Sequence, residues 1–125
     1  MRILVVDDER DVELLFRQRF RKELRSGEIQ LVFAFSAEDA LQRLNGPGGT
    51  EIVLILSDIN MPGMSGLDLL KVLKGRFPKL KVYMITAYDD REKYEIAMRY
   101  NADGFMSKPI DFTTLKQRIL APDSD

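Results

Sequence analysis

Two stretches of this chain, Ile3-Leu4-Val5-Val6 and Ile52-Val53-Leu54-Ile55-Leu56, are apolar at every position. A strand with one face in water alternates apolar and polar residues. An unbroken apolar run this short fits a strand buried on both faces, as in a parallel sheet covered by helices. Gln30–Ala34 and Val82–Ile85 are two further short, largely apolar, β-branched segments, and Gly104–Met106 is a weaker fifth.

The intervals between these runs carry helical spacing. Val12, Leu15, Phe16, Phe20 and Leu24 recur every three or four residues and define one buried face, with Arg17, Arg21 and Lys22 turned to water. Ser36 with Asp39 reads as an N-terminal cap ahead of Ala40, Leu41 and Leu44, and Ser65 stands in the same way before Leu67, Leu70 and Leu73. A fourth helix is expected over about Asp90–Tyr100 and a fifth over about Phe112–Leu120. Strand and helix thus alternate five times. The pattern predicts an α/β domain, a doubly wound five-stranded parallel sheet with helices on both faces, and right-handed crossovers make 2-1-3-4-5 the natural strand order. A chain of 125 residues holds one such domain, 1–120, leaving 121–125 as a tail or the start of a linker. Asn45-Gly46-Pro47-Gly48-Gly49 reads as a loop between a helix and the next strand.

Composition narrows the chemistry. Without cysteine or histidine there is no thiolate or imidazole ligand, no cysteine nucleophile and no internal phosphohistidine. A metal must then be held by oxygen, which favours Mg²⁺, Ca²⁺ or Mn²⁺ over Zn²⁺. A formal net charge of -1 supplies no basic field for nucleic acid or an anionic membrane. With no secretion signal and no long apolar span, the expected compartment is the cytoplasm, and no direct contact with membrane or nucleic acid is expected.

The strand ends are the informative places. The first run ends in Asp7-Asp8-Glu9, the third in Ser57-Asp58, the fourth in Thr86 and the fifth in Ser107-Lys108-Pro109. In a parallel sheet all of these gather at one edge, where such folds bind ligands. Taken singly, each has an ordinary explanation as a helix cap, a strand end or a solvated charge. Together, at the ends of four of five strands, they describe one cleft. Carboxylates that close repel one another, and a divalent cation relieves the repulsion. Mg²⁺ held by Asp8 and Asp58, with Asp7 behind a water, fits its usual ligand set, and Mn²⁺ is the alternative ion. Asp58 is then the candidate nucleophile for a phosphoryl group, Lys108 its positive partner and Thr86 a hydroxyl donor to the same oxygens.

These residues resemble the receiver domains of two-component response regulators, the class that includes the bacterial chemotaxis regulator. The resemblance is carried by Ile3–Glu9, by Ser57-Asp58-Ile59-Asn60-Met61-Pro62-Gly63-Met64-Ser65-Gly66, by Thr86-Ala87 and by Ala102–Pro109, in that order, and covers residues 2 to 120. It implies a flavodoxin-like fold in which Asp58 is the phosphoacceptor. By the same resemblance the main-chain carbonyl of Asn60 is a further metal ligand, Thr86 and Ala87 form the switch segment, Phe105 is the switch aromatic, and the Lys108-Pro109 peptide is cis. It further implies that the phosphate comes from a sensor histidine kinase or a phosphotransfer protein. Phosphorylation would then reshape the surface of the fourth helix, fifth strand and fifth helix. Asn60 and Tyr88 occupy positions whose side chains tune hydrolysis in the family.

Departures from the family pattern are a longer connection near Gly46–Thr50 and a fifth helix with room for only about nine residues before Pro122. The short helix leaves two expectations, a single-domain regulator or a chain that continues into an output domain. The basic residues Arg10, Arg17, Arg19, Arg21, Lys22 and Arg25 read as a solvated face rather than a docking surface. Tyr94, Met98 and Tyr100 read as packing residues rather than a dimer contact, with a phosphorylation-induced homodimer left open. Two rival functions stand beside the receiver reading: an aspartate-nucleophile phosphatase or dehalogenase, and a receiver-like module that binds without phosphorylation. The first is disfavoured because such enzymes carry their nucleophile early in the chain, the second because all five key positions are present.

Overall fold

Each apolar run forms a strand in the computed structural model, which describes residues 1–87 and 91–120. The strands are β1 (Arg2–Val6), β2 (Gln30–Ala34), β3 (Ile52–Asp58), β4 (Lys81–Thr86) and β5 (Gly104–Ser107), and the helices α1 (Asp11–Arg19), α2 (Arg21–Ser26), α3 (Ala37–Asn45), α4 (Gly66–Arg76), α5 (Arg91–Arg99) and α6 (Phe112–Leu120). All strand pairs are parallel and the order is β2-β1-β3-β4-β5.

The unbroken apolar runs are explained by two cores, one on each face. Ile3, Val5, Leu54 and Leu56 face Phe16, Phe20, Phe112, Leu115 and Ile119, while Leu4, Val6 and Ile55 face Ala40, Leu69, Leu70, Leu73 and Ala97. Neighbouring residues of one strand thus enter opposite cores, as the period of two requires. Val53 is the exception. Arg2 pairs with Ile52 and Ile3 with Leu54, so Val53 sits unpaired at a register shift and is 48% exposed. The bulge re-aims one side chain of an otherwise buried run.

Both predicted serine caps are present. The Ser36 hydroxyl accepts from the Asp39 N–H at 3.0 Å, and Ser65 and Asp68 form a reciprocal capping box. The first predicted helix is interrupted at Phe20, whose φ of -105° and ψ of 19° divide it into α1 and α2. Its expected buried face is corrected at Leu15, which is 38% exposed, whereas Phe16 and Phe20 are fully buried. The basic residues of α1 and α2 are exposed, and the guanidinium groups of Arg10, Arg17 and Arg19 lie over the rings of Phe35, Phe33 and Phe112. The packing role expected of Met98 is also corrected. The residue α5 aims at the sheet is Ala97, and Met98 and Tyr94 flank it, 43% and 44% exposed; Tyr100 is half-buried against the core.

Of the expected loop at 45–49, Asn45 closes α3 and Gly49 opens a short 3-10 turn that runs to Glu51. The readings made for Tyr88 and for 121–125, and the first residue of the predicted fourth helix, lie outside the described residues. Among the described residues no helix is long and apolar enough to cross a membrane.

Candidate functional site

The carboxyl ends of β1, β3, β4 and β5 meet at one edge of the sheet. Asp7 follows β1, and its N–H donates to the Ala34 carbonyl at 3.1 Å, so the backbone holds strand geometry one residue beyond the ladder. Asp58 ends β3 beside Ile85, and the Ile59 N–H donates to the Ile85 carbonyl at 3.0 Å. Thr86 ends β4 opposite Ser107, and the Lys108 N–H donates to the Thr86 carbonyl at 2.7 Å. Parallel pairing therefore places the four segments.

Within this edge one oxygen from each of Asp7, Asp8 and Asp58 lies within 4.8 Å of the other two. Asp7 and Asp58 are buried, each 5% exposed, and Asp8 opens to solvent. The Lys108 Nζ donates to Asp7 Oδ2 at 3.0 Å and stands 3.7 Å from Asp58 Oδ2. Asp7 Oδ1 accepts from the Glu9 N–H at 2.9 Å, which fixes its rotamer and leaves Oδ2 for the lysine. The Lys108–Pro109 peptide is cis.

The electrostatics of the two central groups follow from this crowding. Burial pushes the Asp58 carboxyl up to about 6, and the charges of Asp7 and Asp8 add to the rise against the pull of Lys108 and the Ile59 N–H. For Lys108 burial works downward, but the hydrogen bond to Asp7 and the charges of Asp7, Asp58 and Glu9 outweigh it and raise the ammonium pKa. Three converging carboxylates with one shared ammonium leave an excess of negative charge. An all-oxygen set of this kind fits a hard divalent cation such as Mg²⁺.

The remaining predicted residues lie on β4, on β5 and in the segments that follow β3 and β4. Thr86 is fully buried, and Ala87 is exposed just past β4. Asn60 is exposed two residues beyond Asp58, and its Oδ1 accepts from the Lys93 Nζ of α5 at 2.7 Å. Phe105 is half-buried in β5 and meets the ring of Tyr94 edge-on, with centroids 5.2 Å apart. It is packed toward α5 and against the core on that face of the sheet.

Two contributors carried no readable role in the sequence. Lys93 is one; nothing marks a lysine 33 residues from Asn60 as its partner. The other is Gly66. A Cβ there would stand 2.0 Å from the Asp58 carbonyl oxygen, so only glycine lets the start of α4 pass this close to the Asp58 backbone. The Gly66 N–H donates to the Ile59 carbonyl at 2.8 Å, tying the helix to the loop that carries Asn60.

The family model described as the response regulator receiver domain matches residues 3–120. The chain belongs to this family. The receiver domain is 34% identical over 114 residues to the response regulator protein FleR of Pseudomonas aeruginosa, a match that covers 91% of this chain and 23% of that protein. It is 28% identical over 119 residues to a cyclic di-GMP phosphodiesterase of Thermotoga maritima, covering 95% of this chain and 30% of that one. The chain spans less than a third of the length of either relative. A solved CheY-like response regulator receiver domain protein from Methanospirillum hungatei superposes with a TM-score of 0.82 at 27% identity, covering 94% of this chain and 89% of that one.

Proposed function

We propose that this receiver domain accepts a phosphoryl group on Asp58 from the phosphohistidine of a sensor histidine kinase or a phosphotransfer protein. The observation that carries the reading is the convergence of the Asp7, Asp8 and Asp58 carboxylates within 4.8 Å, with the Lys108 ammonium alongside. Asp8 and Asp58 would hold Mg²⁺, or Mn²⁺ in its place, with the main-chain carbonyl of Asn60 and with Asp7 through a water. When bound, the ion supplies neutralisation of the phosphoryl oxygens.

An oxygen of ionised Asp58 attacks phosphorus, the phosphorus–nitrogen bond of the donor breaks, and the imidazole leaves with the bonding pair and takes up a proton. The product is an acyl phosphate. Lys108 pairs with the transferred oxygens, and Thr86 donates its hydroxyl to them. With Thr86 drawn inward, the Phe105 ring enters the vacated space, and the surface of α5, β5 and α6 changes for a partner. The phosphate thereby acts as a ligand that favours one of two states. The role is regulatory, with the domain catalysing its own phosphorylation and dephosphorylation rather than turning over a free substrate. A cavity of about 300 Å³ reaches from Asp7, Asp58 and Lys108 to Val12, Leu15 and Ile110, which gives a partner an apolar approach to the acceptor.

The lengths of the two curated relatives support an output domain joined beyond residue 120, and the parent sequence past Asp125 tests it. Sedimentation with and without beryllofluoride tests a phosphorylation-induced dimer.

The deciding experiment is labelling by a small acyl-phosphate donor with and without Mg²⁺. The wild type is expected to take up one phosphoryl group only with the ion, and Asp58→Asn none. Undiminished labelling of Asp58→Asn rejects the assignment. A wild type that takes no label and shows no Mg²⁺ binding is a module that works without phosphorylation.

A further inference from the structure

The register shift between β1 and β3 turns Val53 out of the sheet, and the side chain is 48% exposed. It borders a cavity of about 420 Å³, together with Tyr83, Ile119 and the exposed cations Lys79, Lys81 and Arg118. A second cavity, of about 500 Å³, adjoins Val53 and Lys79 as well and is lined by Ile52, Phe77 and Leu80. Val53 stands near the start of β3 and Asp58 at its end, so this furrow lies at the opposite end of the sheet from the carboxylate cluster. Exposed apolar surface rimmed by charge marks a place where another segment can settle.

The chain itself delivers a segment here. Arg118 and Ile119 line the first cavity and belong to the last turn of α6, which ends at Leu120. The residues that follow are Ala121-Pro122-Asp123-Ser124-Asp125. A continued helix would need the N–H of residue 122 to donate to the Arg118 carbonyl, and proline has none. An extended segment of this length reaches about 17 Å, and the cavity begins where it departs. Its charge is complementary too. Asp123 and Asp125 are acidic, and among the described residues no carboxylate pairs with Lys79 or Arg118. Lys81 is already engaged.

We propose that residues 121–125 dock in this furrow, with Ala121-Pro122 covering Val53 and the carboxylates of Asp123 and Asp125 against Lys79 and Arg118. The docked segment joins the end of α6 to the starts of β3 and β4. Since α6 belongs to the surface that phosphorylation is proposed to change, the contact limits the movement of its last turn and sets the direction in which the chain leaves the domain. It does so independently of the chemistry at Asp58, and holds whether or not Asp58 is the acceptor.

The chain has no cysteine, so a nitroxide on Ser124→Cys marks this segment alone. Its broadening of backbone amide signals is measured by NMR on the whole chain, at about 50 mM and about 500 mM salt. Strong broadening is expected at Val53 and Lys81. Lys79→Glu/Arg118→Glu and Asp123→Asn/Asp125→Asn are each expected to reduce it about two- to fivefold at low salt and by less at high salt. Exchanging the charges, with Asp123→Lys/Asp125→Lys added to Lys79→Glu/Arg118→Glu, is expected to restore it. A tethered segment that never docks predicts the same broadening in every variant. That result overturns the inference, as does a charge exchange that restores nothing. Broadening of isotope-labelled chains by separate spin-labelled ones would give the furrow to a second copy and overturn it as well.

Discussion

Asp58 and Glu23 are both buried carboxylates, 5% and 8% exposed, and their surroundings move them in opposite directions. Asp58 is pushed up to about 6 by burial and by two carboxylate neighbours. Glu23 is pushed up by burial too, but its own backbone N–H, the ammonium of Lys116 and the charge of Lys22 outweigh that and bring it down. Lys116 approaches Glu23 Oε1 at 3.1 Å from α6, forming an ion pair. The Glu23 pair ties α2 to α6 and is electrically settled. The Asp58 cluster holds more negative charge than its one lysine neutralises, and the excess is what a cation and a phosphoryl group can relieve.

The contrast breaks most visibly at Asp58 itself. A raised carboxyl pKa gives stability that is fully present below the unfolded value of 3.8 and is lost as pH rises through about 6. Metal-free Asp58→Asn is therefore expected to be more stable than the wild type at pH 7.5, by about 2 kcal/mol after allowance for solvent screening. The gain should vanish below about pH 4. Urea unfolding at both pH values checks it, and a variant no more stable at pH 7.5 removes the claimed repulsion.

Mg²⁺ should act on the same excess. At ten times its dissociation constant it is expected to stabilise the wild type by about 1.4 kcal/mol at pH 7.5, measured by thermal unfolding. The effect should be smaller near pH 5, where Asp58 is protonated, and smaller again in Asp58→Asn. An equal effect in all three cases would place the ion elsewhere.

The settled pair gives the smallest change. Lys116→Met leaves Glu23 buried without its cation and is expected to cost about 1 kcal/mol at pH 7, held down by the solvent access of the lysine. The loss should fade in acid as Glu23 becomes protonated. A loss that does not fade with pH would mean that Lys116 acts through packing, since its ammonium also lies 5.2 Å from the centre of the Phe20 ring.

Much of this was legible in the order of residues. Unbroken apolar runs announced strands buried on both sides, and polar groups at their ends pointed to one edge, because parallel strands all finish on the same side of a sheet. Ser36 and Ser65 marked helix starts through a local rule that needs no partner far away. Where the reading failed, the cause was a distant neighbour. Leu15 has helical spacing, but the aromatic cluster of Phe16, Phe20, Phe33 and Phe112 leaves it at the rim. Val53 sits in an apolar run, but the register of β1 against β3 turns it out.

The sequence by itself determined the element order, the two-sided burial of the central strands and the chemical types gathered at their ends, since each depends on short-range periodicity or on strand direction. Only the tertiary structure decided that Glu23 is buried against Lys116, that Lys93 reaches Asn60, and that Gly66 admits the backbone of Asp58. Those contacts join residues separated by 93, 33 and 8 positions, and no periodic pattern encodes them. They are set by how closely packed helices and strands bring side chains together once the sheet has formed.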